Sequence, residues 1–234
     1  MSNKDSNSIA RQAGWYYMAI IVLGLYFIMY IPSKIRVSGD VELTFNNLLQ
    51  HEILFRSGIV AHLLSITAFI LLVLSLYELL KNVNHRLAKV MVAFVIVQVP
   101  VVFISEGLRF SALMLAKERF VTSLDIIQRQ EWVSFLLRIA EYADEDVAMI
   151  FWGLWMIPLG ILVFKSGIIP KLFGVLLVAG GIAYIIQSIG FILLPGSGSY
   201  LGFLFVFYAV AEISFAFWLV IKGTKKNRLN WESI

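Results

Sequence analysis

The sequence predicts an all-α polytopic membrane protein, with six transmembrane helices and one amphipathic helix at the membrane surface. Of its 234 residues, 60% are hydrophobic and 15% are charged, whereas soluble domains average about half apolar and about a quarter charged residues. The apolar residues fall into six runs that reach or approach the ~20 residues needed to cross a ~30 Å hydrocarbon core. The chain has no cysteine, which excludes disulfides and thiolate metal sites.

The six predicted spans belong to a single domain, residues 1–234. They cover about residues 13–31, 53–80, 90–115, 147–164, 172–194 and 200–221. A polar segment, residues 33–50, separates the first two spans, and Gly39-Asp40 is its turn signal. The first apolar run is longer than the core of a signal peptide, so no cleavable signal is expected.

A seventh helix is predicted at about residues 123–142, before the fourth span. Apolar residues recur there at helical spacing, at Trp132, Phe135, Leu136 and Ile139. Residues 122–125, Thr-Ser-Leu-Asp, form a capping signal in front of them. We interpret the segment as an amphipathic helix on the membrane surface; the alternative is a long, tilted start of the fourth span.

The distribution of basic residues predicts the orientation, because cytoplasmic loops are enriched in lysine and arginine. If the spans alternate, one side of the membrane carries most of these cations: Lys4, Arg11, Lys81, Arg86, Lys89, Lys165, Lys171, Lys222, Lys225, Lys226 and Arg228. Lys34 and Arg36 fall on the opposite side. Both termini are therefore predicted to be cytoplasmic, in a bacterial inner membrane. This bias also explains the net charge of +4 without a nucleic-acid partner, and the expected partner is the lipid bilayer.

Polar side chains inside the spans, or at the mouth of the fourth span, are the candidate ligand-binding residues, since a charge at the bilayer centre costs about 2.5–3.5 kcal/mol on insertion scales. They are Arg56, His62, Glu106, Arg109, Asp144, Asp146, Gln187 and Glu212. Glu212 lies ten residues before Lys222, hence about 15 Å deep at ~1.5 Å per residue. The other charged candidates lie in the non-cytoplasmic half. We therefore predict a polar cavity that opens to the non-cytoplasmic side and leads toward Glu212.

Glycines and aromatic residues in and beside the spans suggest packing and interface roles. Small residues let helices approach closely, which we expect at Gly58, Gly107, Gly153, Gly160, Gly180, Gly181 and Gly190. Aromatic belts occupy membrane interfaces, which is the role expected of Trp15, Tyr16, Tyr17, Trp132 and Tyr200.

Structural alternatives stay open for each charged candidate. Arg56 either forms a salt bridge or headgroup contact, or anchors an anionic group. His62 is either a hydrogen-bonded packing residue, or a ligand or proton relay. Glu106 and Arg109 are three residues apart and can neutralise one another.

The remaining acidic candidates have alternatives as well. Asp144 and Asp146, within the acidic run of residues 141–146, either gather cations at the mouth of the cavity or form an exposed rim. Glu212 is either protonated or paired with Arg56.

Three classes of function are compatible with these residues. The leading hypothesis is binding or transport of a small solute, lipid, cation or proton. A structural or regulatory subunit is the first alternative. An intramembrane metal-assisted hydrolase using His62, Glu106 and Asp144 is the least favoured. Nucleotide-binding glycine loops, His-Glu-x-x-His and Gly-x-Ser-x-Gly are absent from the sequence, so no catalytic residue or cofactor is assigned and metal binding is left open.

Several segments resemble a known family. They are Ala10–Gly14, Leu54–Val60, Lys165–Leu177, Gly180–Tyr184 and Ala211–Gly223. Together they are similar to the bacterial membrane family catalogued as domain of unknown function 4386. The resemblance implies a six-span inner-membrane protein with no assigned activity, and it points to Arg56 and Glu212 as the charged residues of interest.

Overall fold

The chain folds almost entirely into helices, and its described part contains no strand. A computed structural model describes residues 3–119, 121–194, 196 and 198–224. The α-helices within these ranges are α1 Asn3–Leu25, α2 Ile31–Ile35, α3 Val41–Gln50, α4 Glu52–Leu80, α5 His85–Ala116, α6 Ile126–Glu141, α7 Met149–Ser166, α8 Lys171–Leu193, α9 Gly198–Leu201 and α10 Phe205–Ile221. The prediction of an all-α fold is confirmed.

Six helical stretches of the described residues are long and apolar enough to cross a membrane, as predicted. They are Asp5–Ile35, Glu52–Leu80, His85–Ala116, Ile126–Ser166, Lys171–Leu193 and Gly202–Ile221. The first is longer than expected because α1 continues through a π-helical turn, Tyr26–Tyr30, into α2. The chain is thus a multi-pass membrane protein. Lys225, Lys226 and Arg228, which contributed to the predicted orientation, lie outside the described residues, and the orientation stays a prediction.

Helix α3 was not predicted, because its ten residues lie in a segment that reads as polar. Asp40 caps the helix, with its Oδ1 atom accepting a hydrogen bond from the backbone N–H of Leu43 at 2.8 Å. Phe45 and Leu48 are buried. The segment between the first two spans is therefore an ordered, capped helix that packs its apolar face.

Helix α6 lies where a seventh helix was predicted, but its N-cap is Asp125 and not Thr122, the first residue of the predicted capping signal. Because residues Ile126–Ser166 form one helical stretch, the alternative of a long start of the fourth span stays open. The Asp125 carboxylate accepts from the backbone N–H of Gln128 at 2.9 Å. The Gln128 side chain accepts from the backbone N–H of Asp125 at 3.3 Å, which completes a capping box. Trp132 and Phe135 are exposed, whereas Val133 is buried. A π-helical turn, Tyr142–Val147, links α6 to α7, and the location of α6 at the membrane surface stays a prediction.

The chain divides into two compact units. Unit 1 comprises the described parts of residues 1–18, 68–97 and 149–234, and unit 2 comprises those of residues 19–67 and 98–148. Three of the four boundaries fall inside α1, α4 and α5, and the fourth directly precedes α7. The prediction of a single domain stays a prediction.

In unit 1, two pairs of glycines bring α7 and α8 into close contact. Gly153 and Gly160 are spaced seven residues apart on α7, and Gly174 and Gly181 have the same spacing on α8. A Cβ atom on Gly153 would lie 2.4 Å from the carbonyl oxygen of Gly181, and one on Gly160 would lie 2.6 Å from that of Gly174. Side chains at these positions would push the two backbones apart.

Not every glycine that was expected to permit close approach does so. A Cβ atom on Gly58 would meet Ile31 at 3.0 Å, and one on Gly190 would meet Leu201 at 2.3 Å. The expectation is wrong for Gly107, because a Cβ atom there would have no described atom within 4 Å. Gly107 lies on an outward face of α5, where sequence spacing alone does not distinguish it.

We expect Gly160→Ala to lower the midpoint of thermal unfolding in detergent, because the added methyl group meets a backbone carbonyl that cannot rotate away. Overpacking of this kind costs about 1–3 kcal/mol. Gly107→Ala is the matched control, and it should leave the midpoint unchanged or raise it, since alanine has the higher helix propensity. Equal effects of the two substitutions would contradict this packing role.

Candidate functional site

Five charged or titratable side chains of unit 2 converge from three chain segments; we call them the charged cluster. They are His62 on α4, Glu106 and Arg109 on α5, and Asp144 and Glu145 in the π-helical turn before α7. Glu106, Arg109 and Asp144 are 3%, 6% and 1% exposed. Ionised groups are seldom buried to this degree without partners, so the contacts within the cluster decide what it can do.

Arg109 is the centre of the charged cluster. Its Nη1 atom lies 2.8 Å from Glu106 Oε1 and 2.7 Å from Asp144 Oδ2. Its Nη2 atom lies 3.1 Å from Asp144 Oδ1 and 2.9 Å from Glu145 Oε1. The ring of Phe27 covers the guanidinium, with its centroid 4.8 Å from the Cζ atom. The predicted pairing of Glu106 with Arg109 is confirmed, and Asp144 adds a bidentate contact.

Local helix geometry explains why these side chains meet. Glu106 and Arg109 are three residues apart on α5 and so share a face. The turn that holds Asp144 and Glu145 closes with an i→i+5 hydrogen bond from the N–H of Ala148 to the carbonyl of Ala143, at 3.0 Å. This wider turn changes the direction of the side chains, and two consecutive carboxylates reach one guanidinium.

His62 completes the cluster. Its Nδ1 atom lies 2.6 Å from Glu106 Oε1 and 3.9 Å from Asp144 Oδ2. Its ring stacks on Phe27, with centroids 4.0 Å apart and planes inclined by 16°. His62, Glu106 and Asp144 each offer one ligand atom, and these atoms lie within 4.8 Å of one another. The hydrogen-bonded packing role is therefore observed, and a role as ligand is geometrically open.

The charged cluster carries more negative than positive charge. In formal charges, Glu106, Asp144 and Glu145 contribute −3 and Arg109 contributes +1, which leaves −2 when the His62 imidazole is neutral. The Oε2 atom of Glu106 is buried and has no hydrogen-bond partner among the described residues. Asp144 is buried, so the alternative of an exposed acidic rim is wrong for this residue.

A pocket of about 390 Å³ in unit 2 reaches the charged cluster. Arg109 and Glu145 form part of its wall, together with apolar side chains that include Phe27, Ile31 and Ile59. Arg109 and Glu145 thus belong both to the cluster and to the pocket.

Two further arginines line this pocket, and sequence reasoning did not assign them to the site. Arg36 forms an ion pair with Glu141, and the Nη1 atom of Arg138 lies 3.8 Å from Glu141 Oε2. All three residues line the pocket. In the sequence, Arg36 was considered only as a residue that counts against the predicted orientation. Its partner Glu141 lies 105 residues further along the chain, so no local sequence pattern predicts the pair.

Two other candidates of unit 2 do not join the contacts around Arg109 described above. Arg56 donates from Nε to Glu52 Oε1 at 2.8 Å, while Glu52 Oε2 accepts from Lys117 at 2.6 Å. The guanidinium of Arg56 also lies over the ring of Phe110. These contacts match the salt-bridge alternative. Asp146 lies in the π-helical turn and is partly buried.

The last two candidates, Gln187 and Glu212, lie in unit 1 among tyrosines. Glu212 Oε1 accepts from the Tyr17 hydroxyl at 3.1 Å, and Oε2 accepts from the Tyr184 hydroxyl at 3.0 Å. The Tyr184 ring stacks on Tyr208 with centroids 3.7 Å apart, and the Tyr208 hydroxyl donates to Gln187 Oε1 at 3.2 Å. We call these five residues the tyrosine–carboxylate cluster.

This second cluster changes two sequence interpretations. Tyr17 was expected in an aromatic belt, but it is buried and bonds Glu212. The hypothesis of an Arg56–Glu212 pair finds no support in the contacts described, because each residue has partners inside its own unit. One cavity leading from the outside to Glu212 stays a prediction.

We expect Arg109→Met to lower the stability of the protein strongly, because it leaves three carboxylates of the cluster without their cation. Breaking a buried ion pair from one side costs about 3–5 kcal/mol. Arg56→Met is the matched control; it removes a partly exposed pair, which is worth about 0–1 kcal/mol. Thermal unfolding in detergent measures both. Adding Asp144→Asn to Arg109→Met should recover part of the loss, and similar effects of the two single substitutions would contradict the central role of Arg109.

Comparison with known proteins adds a family but no activity. A family model described as Domain of unknown function (DUF4386) matches residues 12–223. An uncharacterized protein of Archaeoglobus fulgidus is 40% identical over 86 residues, which are 37% of this chain and 50% of that protein. The alignment spans about half the length of this relative, and no solved structure matches the chain. Because the family model covers most of the sequence, the chain belongs to the DUF4386 family, as its resemblance indicated.

Proposed function

We propose that this protein binds a cation at the charged cluster and transports it across the membrane. The observation that carries the proposal is the uncompensated negative charge among His62, Glu106, Arg109, Asp144 and Glu145. The desolvation of a buried ion costs several kcal/mol unless its attraction to an opposite charge offsets it. A cation that enters the cluster lowers this cost, whether it is a proton or a metal ion.

The pocket supplies access to the cluster. Its volume of about 390 Å³ lies within the ~300–1,000 Å³ range of small-molecule sites. A solute in it would contact Arg109 and Glu145. The apolar side chains of the wall favour a second candidate function, in which a small amphiphilic solute occupies the pocket while the cluster holds the cation.

We propose that the pocket faces the non-cytoplasmic side. It is lined by residues of the connection between the first two spans, such as Arg36 and Val37, and by residues of α6, such as Ser134, between the third and fourth spans. If spans alternate, these two connections share one side, opposite to the lysine- and arginine-rich connection around Lys81. The positive-inside rule then places both termini in the cytoplasm and the pocket outside; a bacterial inner membrane is the proposed location.

We expect Asp144→Asn to reduce cation uptake by reconstituted protein at least tenfold. The substitution removes one negative charge and weakens both bonds to Arg109, and a lost hydrogen bond to a charged group is worth about 1.5–3 kcal/mol. Uptake is measured in vesicles of phosphatidylethanolamine and phosphatidylglycerol. An enclosed pH dye reports protons after external acidification, and a metal-sensitive dye reports Mn²⁺ or Zn²⁺.

Glu52→Gln is the matched control, because Glu52 also pairs with two cations but belongs to a partly exposed ion triad with Arg56 and Lys117. It should leave uptake unchanged. Wild-type protein that moves no tested cation, or uptake that survives Asp144→Asn, would refute the proposal. A purely structural subunit would instead show loss of assembly in Asp144→Asn with no cation-dependent activity in the wild type.

We propose Glu212 as a second carboxylate that takes part in the transport, on the strength of its depth in the last span and its paired tyrosines. Glu212→Gln keeps the size of the side chain and removes its charge, so we expect slower uptake by a factor of about ten with little change in thermal unfolding. Ser214→Ala, two residues away on α10, is the control, and it should leave uptake unchanged. Uptake that is unchanged by Glu212→Gln would remove Glu212 from the mechanism.

A further inference from the structure

We infer that the cation of the charged cluster is a divalent transition-metal ion, bound by His62, Glu106 and Asp144. The inference rests on the proposed function, because it names the cation that the same cluster takes. The three residues come from α4, α5 and the π-helical turn, so each of three chain segments contributes one ligand. Their ligand atoms already lie within 4.8 Å of one another.

The charge of the cluster matches a divalent ion. Metal ligands are deprotonated, with histidine neutral and carboxylates ionised. In that state the formal charge is −3 from Glu106, Asp144 and Glu145 and +1 from Arg109. One divalent ion brings this sum to zero, whereas a monovalent ion leaves a negative charge. Metal coordination thus requires neutral His62, and with neutral His62 the formal charge of the cluster is the −2 that a divalent ion balances.

Glu106 gives an observation that does not depend on counting charges. Its side chain is 3% exposed, and its Oε2 atom is buried without a hydrogen-bond partner among the described residues. Roughly 90% or more of buried polar groups in proteins have a partner. A buried carboxylate oxygen with a free lone pair, in a residue whose other oxygen meets both His62 and Arg109, is an available metal ligand.

The donor atoms select the class of metal. One imidazole nitrogen with two carboxylate oxygens suits Mn²⁺, Fe²⁺, Co²⁺ or Zn²⁺ better than Mg²⁺ or Ca²⁺, which favour oxygen ligands throughout. Bonds of about 2.0–2.2 Å place neighbouring ligand atoms of an octahedral or tetrahedral ion about 2.8–3.6 Å apart. The three ligand atoms, which lie within 4.8 Å of one another, would reach these separations by side-chain movements of about an ångström. Three protein ligands leave at least one coordination position for water or a solute.

Arg109 is a positioning residue in this site. Its hydrogen bonds hold Glu106 and Asp144 from the side, and groups that orient metal ligands typically contribute 10–100-fold to affinity. Its fixed positive charge also reduces the repulsion among the three carboxylates while no metal is bound.

The test measures metal binding directly on the purified protein in detergent. The protein is treated with a chelator, equilibrated with Co²⁺ or Zn²⁺, separated from free metal, and analysed for metal content, while visible absorption of Co²⁺ reports nitrogen and oxygen coordination. We expect about one ion per chain. His62→Ala and Glu106→Gln should each weaken binding at least tenfold, whereas the control His51→Ala should not. Excess Mg²⁺ should not displace the ion.

Two results would overturn the inference. One is folded wild-type protein that retains no stoichiometric Co²⁺ or Zn²⁺; the other is binding that is equal in the wild type, His62→Ala and Glu106→Gln. The first result needs no variant, so a variant that fails to fold cannot hide the answer. If no metal binds but proton uptake depends on Asp144, the inference fails and the proposed function stands with a proton; if neither is seen, both fail.

Discussion

The ion network around Arg109 is the interaction on which unit 2 depends. Four hydrogen bonds from one guanidinium reach three carboxylates on two chain segments, and His62 adds a third segment through Glu106. Without Arg109, these carboxylates could not all be ionised and buried in one place. With it they can, but a single arginine does not neutralise three acids. The same contact that stabilises the unit therefore leaves it with a charge that a ligand can satisfy.

The tyrosine–carboxylate cluster and the charged cluster stabilise a carboxylate within a span with different hydrogen-bond partners. Glu212 receives one neutral hydroxyl donor on each oxygen, from Tyr17 and Tyr184, and aromatic rings pack around those tyrosines. Glu106 is held by charged or titratable groups on Oε1 alone, and its second oxygen is left without a partner among the described residues. Both oxygens of Glu212 thus accept a hydrogen bond, whereas only one oxygen of Glu106 does so among the described residues. This difference is why the charged cluster, more than Glu212, has the character of a binding site.

The sequence predicted those features that the bilayer imposes, and it missed those that depend on how helices are rotated. Length and hydropathy determine a spanning helix, so all six spans were predicted, and helical periodicity predicted α6. A partner across helices is not encoded locally: Tyr17 and Glu212 are 195 residues apart, and Arg36 meets Glu141 only after the chain has folded. The π-helical turn also changes the helical register, which brings Asp144 and Glu145 to Arg109 against the regular spacing. The sequence therefore indicated the residue types of the site, the set of His62, Glu106 and Asp144 and the pair of Glu106 with Arg109. It did not indicate that Asp144 and Glu145 bind Arg109.

The sign of the ligand's charge follows from which atoms of the cluster already form hydrogen bonds within it. An arginine inside a membrane span suggests an anion site when its donors are free. Here both terminal nitrogens of Arg109 are engaged by Glu106, Asp144 and Glu145, each nitrogen by two contacts, and Phe27 covers the guanidinium. An anion would have to displace a carboxylate and add to a charge that is already negative. A cation would instead be attracted by the negative formal charge and could bind the free lone pair on Glu106 Oε2. Because the donors of Arg109 are already engaged, the cluster favours a cation as the ligand.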